Sequence, residues 1–180
     1  MNPVIEAFST ARMIAERLRF EHFAEIDTMH QDPQVMATLG GVRSPEQTRQ
    51  FIDKNLEHWE RYGFGLWVFR DKVNGKFIGR GGVRYVNVAG NDVVELAYAL
   101  MSAFWGQGLA TEMGESILKI AIEQLGFSEL ACFTMTTNFT SQRVIQKLGF
   151  RYEGDIVHAN LPHVFYRLQA PHSLKIGARS

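Results

Sequence analysis

Between Phe64 and Leu100 helical spacing gives way to aromatic and β-branched runs broken by turn signals, and this stretch most limits what the chain can fold into. Phe64 to Arg70 reads as a strand, Asn74-Gly75 as a two-residue hairpin turn, and Lys76 to Tyr85 as the partner strand. Ala89-Gly90-Asn91-Asp92 marks a second turn before a strand from Val93 to Leu100. The run is an antiparallel meander, and the rest of the fold has to be built around it.

Upstream, Arg12 to Arg17 reads as a short strand, and Phe23, Ile26 and Met29 recur at helical spacing between Glu21 and Met29. Asp32-Pro33 has the form of a cap and first-turn proline. Ser44-Pro45-Glu46-Gln47 is a helix start with a capping box, and Gly63 ends that helix after Phe51, Ile52, Leu56 and Trp59 have lined one face. Downstream, Gly114, Ile117, Leu118, Ala121, Ile122 and Leu125 keep a 3–4 spacing up to Gly126. Leu130 to Thr136 reads as a strand, and Asn138 or Thr140 caps a helix closed by Gly149. Strands near Phe150 to Glu153 and Val164 to Leu168 end the pattern. The order predicts a mixed α/β (α+β) fold with a largely antiparallel central sheet.

The chain has 180 residues, enough for one domain with a sizeable core, and no linker or repeat divides it. Lys plus Arg and Asp plus Glu are both 19, a balance that argues against a nucleic-acid-binding module. No apolar run approaches the roughly 18 residues of a spanning helix, and the N-terminus lacks the basic-then-apolar form of a secretory signal. No membrane association is expected. The lone Cys132 rules out an intrachain disulfide and a thiolate zinc cluster, and it points to the reducing cytoplasm. His22, His30, His58, His158, His163 and His172 show no ligand spacing, so no metal is expected.

The stretch that carries chemistry is Trp105-Gly106-Gln107-Gly108-Leu109-Ala110-Thr111, between a strand and a helix. Glycines there permit close backbone approach, and the free N–H groups at a helix start favour an anion such as a pyrophosphate. A tight strand–helix turn without a ligand fits the same local pattern. No P-loop pattern occurs. Gly79-Arg80-Gly81-Gly82 lies inside a strand, where it reads as a bulge or close backbone approach rather than a dinucleotide fingerprint.

Val94-Glu95-Leu96-Ala97-Tyr98-Ala99-Leu100, followed by Phe104-Trp105-Gly106-Gln107-Gly108-Leu109-Ala110-Thr111-Glu112, resembles the acetyl-CoA motif of GNAT-type N-acetyltransferases. Asn138-Phe139-Thr140-Ser141 and Val144-Ile145-Gln146-Lys147-Leu148-Gly149-Phe150 are similar to the second motif of that superfamily. Asp32-Pro33-Gln34-Val35-Met36 and Gly63-Phe64-Gly65-Leu66-Trp67 extend the likeness, which covers Arg12 to Leu168. Trp105 stands where the general pattern has Gln or Arg, a variant usual in the Rim-type branch of ribosomal-protein N-terminal acetyltransferases.

The resemblance implies a single N-acetyltransferase domain over residues 1–180, with its core at about 12–168 and helices on both faces of the sheet. It also implies direct transfer of acetyl from acetyl-CoA to a primary amine. The alternative is a catalytically silent acyl-CoA-binding sensor or interaction domain.

For catalysis the resemblance suggests Glu95 as the base and Ser141 as the hydroxyl near the CoA sulfur. The competing readings are an exposed strand carboxylate and an ordinary first-turn serine. For the cofactor it suggests the backbone at Ala99 and Leu100, the turn from Trp105 and Gly106 through Gln107, Gly108, Leu109 and Ala110 to Thr111, and Asn138 on the pantetheine arm. Arg143 and Lys147 face the adenosine phosphates in this reading. Asn138 as a simple helix cap, and Arg143 and Lys147 as solvated charges, remain open. Cys132, with no activating base in sight, reads as a packing residue. Trp59, Tyr62 and Phe64 fit the border of the acceptor pocket, but core packing is the preferred reading of each. The amine is open among a protein N-terminus, a polyamine, an amino sugar or antibiotic, and an amino acid. A homodimer is compatible with all of this.

Overall fold

The computed structural model describes residues 4–171. In chain order the strands are β1 (Ala7–Ser9), β2 (Met13–Arg17), β3 (Leu66–Asp71), β4 (Phe77–Val88), β5 (Asn91–Leu100), β6 (Glu129–Met135), β7 (Arg151–His158) and β8 (Leu161–Gln169). The helices are α1 (Phe23–Gln31), α2 (Pro33–Met36), α3 (Pro45–Tyr62), α4 (Leu109–Lys119) and α5 (Phe139–Lys147). The strands form one sheet in the order β1-β2-β3-β4-β5-β6-β8-β7. Every neighbouring pair is antiparallel except β5–β6. The mixed, largely antiparallel architecture is the one expected, with β1 as an added edge strand.

Locally encoded helix starts form as read. Ser44 Oγ accepts the Gln47 N–H at 3.2 Å while Gln47 Oε1 accepts the Ser44 N–H at 2.9 Å, closing the capping box. Asp32 caps α2 ahead of Pro33. Gly63 ends α3 at φ 73.

The first hairpin differs from expectation. A two-residue turn of the favoured type needs positive φ at both central residues, and of Asn74 and Gly75 only Gly75 has it, at φ 71. Asp71 is the reason: its Oδ1 accepts the Val73 and Asn74 N–H groups at 2.7 and 3.3 Å, winding a wider loop from Lys72 to Gly75. The tight turns are instead Ala89-Gly90 (φ 49 and 84) and Ala159-Asn160 (φ 49 and 62). The second of these joins β7 and β8, which are longer than the sequence pattern indicated.

Helices cover both faces. On one, Ile26 of α1 and Ile52 of α3 bury against Leu66, Val68 and Ala97. On the other, Met113, Ile117 and Leu118 of α4 and Ile145 of α5 bury against Val83, Leu96 and Leu100. The glycine run in β4 serves close approach, as expected: a Cβ at Gly81 would lie 2.8 Å from Met113 Sδ, and one at Gly82 would lie 2.1 Å from the Gly65 carbonyl. A Cβ at Gly114 would come within 2.5 Å of Leu148, so this glycine sets the distance between α4 and α5. The α4 helix widens into a π-turn over Ile120–Gln124, a feature with no signature in the sequence. Among the described residues no helix is long and apolar enough to cross a membrane.

Candidate active site

The site begins with a defect in the sheet. β4 pairs with β5 along its whole length, and β6 pairs with β8, but β5 meets β6 in a single rung, Glu95 opposite Ala131. One step on, the Cys132 thiol donates to the Leu96 carbonyl at 3.3 Å, replacing a backbone donor at the crotch of the split. Burial pushes that thiol well up, away from the reactive thiolate. Beyond it, Ala99 and Leu100 end β5 on an edge that β6 has left; Leu100 turns its backbone to the opening, whereas the Ala99 N–H and C=O are turned to β4 opposite Arg80, which corrects the role expected of the Ala99 backbone.

The glycine turn lies directly after that edge. Gly106 and Gly108 have φ 71 and 78, a region closed to most other residues, and Gly108 is the N-cap of α4. Trp105, half exposed, donates its indole N–H to the Leu100 carbonyl at 2.9 Å and so ties the turn to the end of β5. Arg12 Nη1 donates to the Gln107 carbonyl at 2.8 Å while its Nε pairs with Glu112 at 3.2 Å. These contacts fix the turn with the first N–H groups of α4 unclaimed by side-chain caps, an arrangement that fits a pyrophosphate. A Cβ at Gly106 would meet nothing, so the approach is open. Leu109 is buried in the core and contributes only backbone, whereas Ala110 and Thr111 are partly covered in the first turn.

Next to the split, Ser141 Oγ and Tyr98 Oη lie 2.8 Å apart, joining α5 to β5. Burial raises the Tyr98 hydroxyl above its usual range, so it stays protonated. Asn138 is engaged at both ends of its amide: Oδ1 accepts the Ser141 N–H at 3.1 Å and Nδ2 donates to Thr38 Oγ1 at 3.2 Å. Its capping role is therefore realised, and its further reach is to the segment after α2. Arg143 and Lys147 are exposed on α5 and form no ion pair among the described residues.

Glu95 lies on the opposite face of β5 from Tyr98 and Ser141. It is buried, and its Oε2 accepts Arg84 Nε at 2.8 Å across the β4–β5 rung the two residues share. Its Oε1 makes no hydrogen bond among the described residues. Four rungs along, on the same face, Arg80 stands opposite Ala99. The Arg80 and Arg43 guanidiniums lie over the Phe51 ring at 4.8 and 5.3 Å. Arg43 Nη1 donates to His30 Nε2 at 3.2 Å, which leaves His30 Nδ1 to donate to Thr48 Oγ1 at 3.0 Å. Burial, helped by the Arg80 and Arg43 charges, pushes His30 down to about 3, so it is neutral. The sequence assigns no site role to Arg43, Arg80, Arg84, His30 or Tyr98, which are scattered along it.

Residues 12–151 match the family described as Acetyltransferase (GNAT) domain. The chain belongs to the GNAT acetyltransferase family. It is 32% identical over 155 residues to the FsC-acetyl coenzyme A-N(2)-transacetylase of Aspergillus fumigatus, covering 79% of this chain and 64% of that one. The acetyltransferase of Agrobacterium tumefaciens str. C58 superposes with a TM-score of 0.81 at 20% identity, over 94% of this chain and 97% of that one. RimL, a ribosomal L7/L12 alpha-N-protein acetyltransferase solved with coenzyme A, superposes with a TM-score of 0.72 at 15% identity, covering 93% and 97%. As a GNAT acetyltransferase the chain carries acetyl from acetyl-CoA to an amine.

The glycine turn, the β5 edge and the Tyr98–Ser141 pair adjoin the split, and Glu95 sits on its other side. Tyr62 is exposed, whereas Trp59 and Phe64 are buried, Trp59 donating its indole N–H to the Leu66 carbonyl at 2.9 Å. Among the described residues no group of His, Cys, Asp and Glu is placed to hold a metal ion, and His172 lies outside them.

Proposed function

We propose that acetyl passes directly to an amine that reaches Glu95 from the α1–α3 face, with acetyl-CoA held from the α4–α5 face. The observation that carries this is the pairing of one split rung with one half-free carboxylate. Glu95 Oε2 is held by Arg84, and Oε1, beside the opening, has no partner among the described residues. Acetyl-CoA supplies the acyl group as a thioester.

Glu95 Oε1 takes a proton from the acceptor ammonium, directly or through water, freeing the nitrogen lone pair. The Leu100 N–H, on the edge that β6 has left, orients the thioester carbonyl and donates as its oxygen gains charge. The C–N bond forms as the C–S bond breaks. Ser141 Oγ, backed by the Tyr98 hydroxyl, provides the hydrogen bond that meets the departing sulfur. The amine's second proton ends on that sulfur, and the first leaves Glu95 for solvent.

Binding follows the same division. Trp105 and Gly106 through Thr111 hold the pyrophosphate, Asn138 the pantetheine arm, and Arg143 and Lys147 the adenosine phosphates. Direct transfer is supported by the buried state of Cys132, which offers no exposed thiolate for a covalent acyl stage. A single acetyltransferase module in a reducing cytoplasm is the setting these features suit.

The test is thiol release from acetyl-CoA in the presence of a panel of amines. Release that depends on the amine is expected. Tight acetyl-CoA binding with no release for any amine would sink the reading in favour of a silent binding domain.

A further inference from the structure

On the α1–α3 face, three guanidiniums converge on one carboxylate. Arg84 takes Glu95. Arg43 spends one donor on neutral His30. Among the described residues Arg80, 5% exposed, has no ion pair, and its buried Nε has no hydrogen-bond partner. A buried guanidinium without a counter-ion is costly, and proteins that need one for packing alone pair it or replace it with an apolar side chain. The Arg80 guanidinium lies over the Phe51 ring, which it shares with Arg43. Burial and the Arg84 and Arg43 charges weaken Arg80's hold on its proton, and Glu95 is the only acidic group that strengthens it.

The position of this surplus charge matters more than its size. Arg80 shares a rung with Ala99, at the end of β5 where the thioester is held, and Arg84 shares a rung with Glu95. An anion seated against Arg80 and Arg43 therefore lies on the acceptor's side of the sheet, within a few rungs of the base. The geometry points to an acceptor that carries an anionic group, a carboxylate or a phosphate, beside its amine, with Arg80 as its principal anchor and Arg43 in support. This assignment rests on the reading that the α1–α3 face receives the amine. A polyamine or other purely cationic acceptor is disfavoured, because it would enter beside unneutralised guanidiniums.

Three amine pairs that differ by one anionic group test it in the thiol-release assay: alanine against alaninamide, Ala-Glu against Ala-Gln, and glucosamine 6-phosphate against glucosamine. In at least one pair the anionic member is expected to show a kcat/KM about 10- to 100-fold higher, the range of one or two charge-assisted hydrogen bonds. Which pair responds separates carboxylate from phosphate. Arg80→Met should collapse that ratio toward one, mainly through KM, while the melting temperature holds or rises because an unpaired buried charge has gone. Should that variant not fold, Arg43→Met, at a partly exposed position, is expected to lower the same ratio.

Equal or reversed preference in all three pairs overturns the assignment. So does a ratio unchanged in Arg80→Met with CoA affinity reduced instead, which would give Arg80 to the cofactor. If no amine is turned over, the proposed transfer fails separately. The anion site is then read by calorimetry on the CoA-saturated protein with N-acetylalanine against N-acetylalaninamide, and equal or absent binding of the two overturns it.

Discussion

The two faces of β5 are wired on different principles. On the α4–α5 side the polar groups answer one another: Tyr98 with Ser141, Asn138 with the Ser141 N–H and Thr38, Trp105 with the Leu100 carbonyl. On the α1–α3 side the accounts stay open, with Arg80 unpaired, Glu95 Oε1 unclaimed and three guanidiniums against one carboxylate. A site for an invariant partner can be built closed, its donors preset by backbone and caps. A site for a specific partner keeps charge in reserve and meets it only when that partner arrives. This difference tells where specificity resides in the molecule.

The largest expected effect breaks the open side. Glu95→Gln removes the one carboxylate and should lower the thiol-release rate at neutral pH by about 100-fold or more, the scale of general-base catalysis. Full activity in that variant would remove Glu95 as the base.

Acid should also act on the open side. His30 is held neutral with its titration near 3, whereas an unfolded histidine titrates near 6.5. Between those values the unfolded chain binds a proton the folded one refuses, so stability present above about pH 6.5 is lost as the pH falls. The slope is at most about 1.4 kcal/mol per pH unit for this one group. His58, half-buried and joined to the Phe64 carbonyl and the Tyr85 N–H, is shifted in the same direction. Denaturant melts at about pH 7 and pH 5 should show the loss, and His30→Gln should flatten it; an unflattened slope argues that His30 is not the sensor.

The closed side is probed more gently. Gly108→Ala forces a left-handed φ of 78 on a residue with a Cβ, at a cost of about 1–2 kcal/mol, while the new Cβ only touches Arg12 Nη2 at 3.5 Å. CoA affinity should fall by roughly tenfold. Gly75→Ala, strained alike at φ 71 but in the β3–β4 loop, should lower stability and leave that affinity alone. Equal CoA affinities in the two variants would mean that the turn does not shape the phosphate site.

The smallest effect is Tyr98→Phe, which takes away one buried hydrogen bond worth about 1 kcal/mol. A modest drop in melting temperature with a few-fold drop in kcat is expected. A fall confined to stability would make the pair a strut rather than part of the leaving-group site.

What could be read from the sequence followed range. Ser44, Pro45 and Gln47 announce a helix start because the partners lie within one turn, and the glycine turn before α4 is equally local. Asn74-Gly75 misled because Asp71, three residues earlier, captured the same amides. Of the open side only Glu95 could be named, through the resemblance, and its surroundings were hidden for a different reason. His30, Arg43, Phe51, Arg80 and Glu95 come from separate elements, and nothing in the neighbourhood of Arg80 says that its guanidinium will be left without a counter-ion. Alternation along β5 likewise could not say which face Glu95 takes until β4 fixed the register.

The single Glu95–Ala131 rung also has a mechanical side. In load-bearing terms the sheet is two plates, β1–β5 and β6–β8, riveted once and braced by the apolar layer under α4 and α5. The ladders within each plate share strain over many parallel bonds, whereas the rivet stands nearly alone. Backbone amides along the seam should therefore exchange with solvent deuterium sooner than those in the middle of either plate, and a ligand wedged in the seam should slow them.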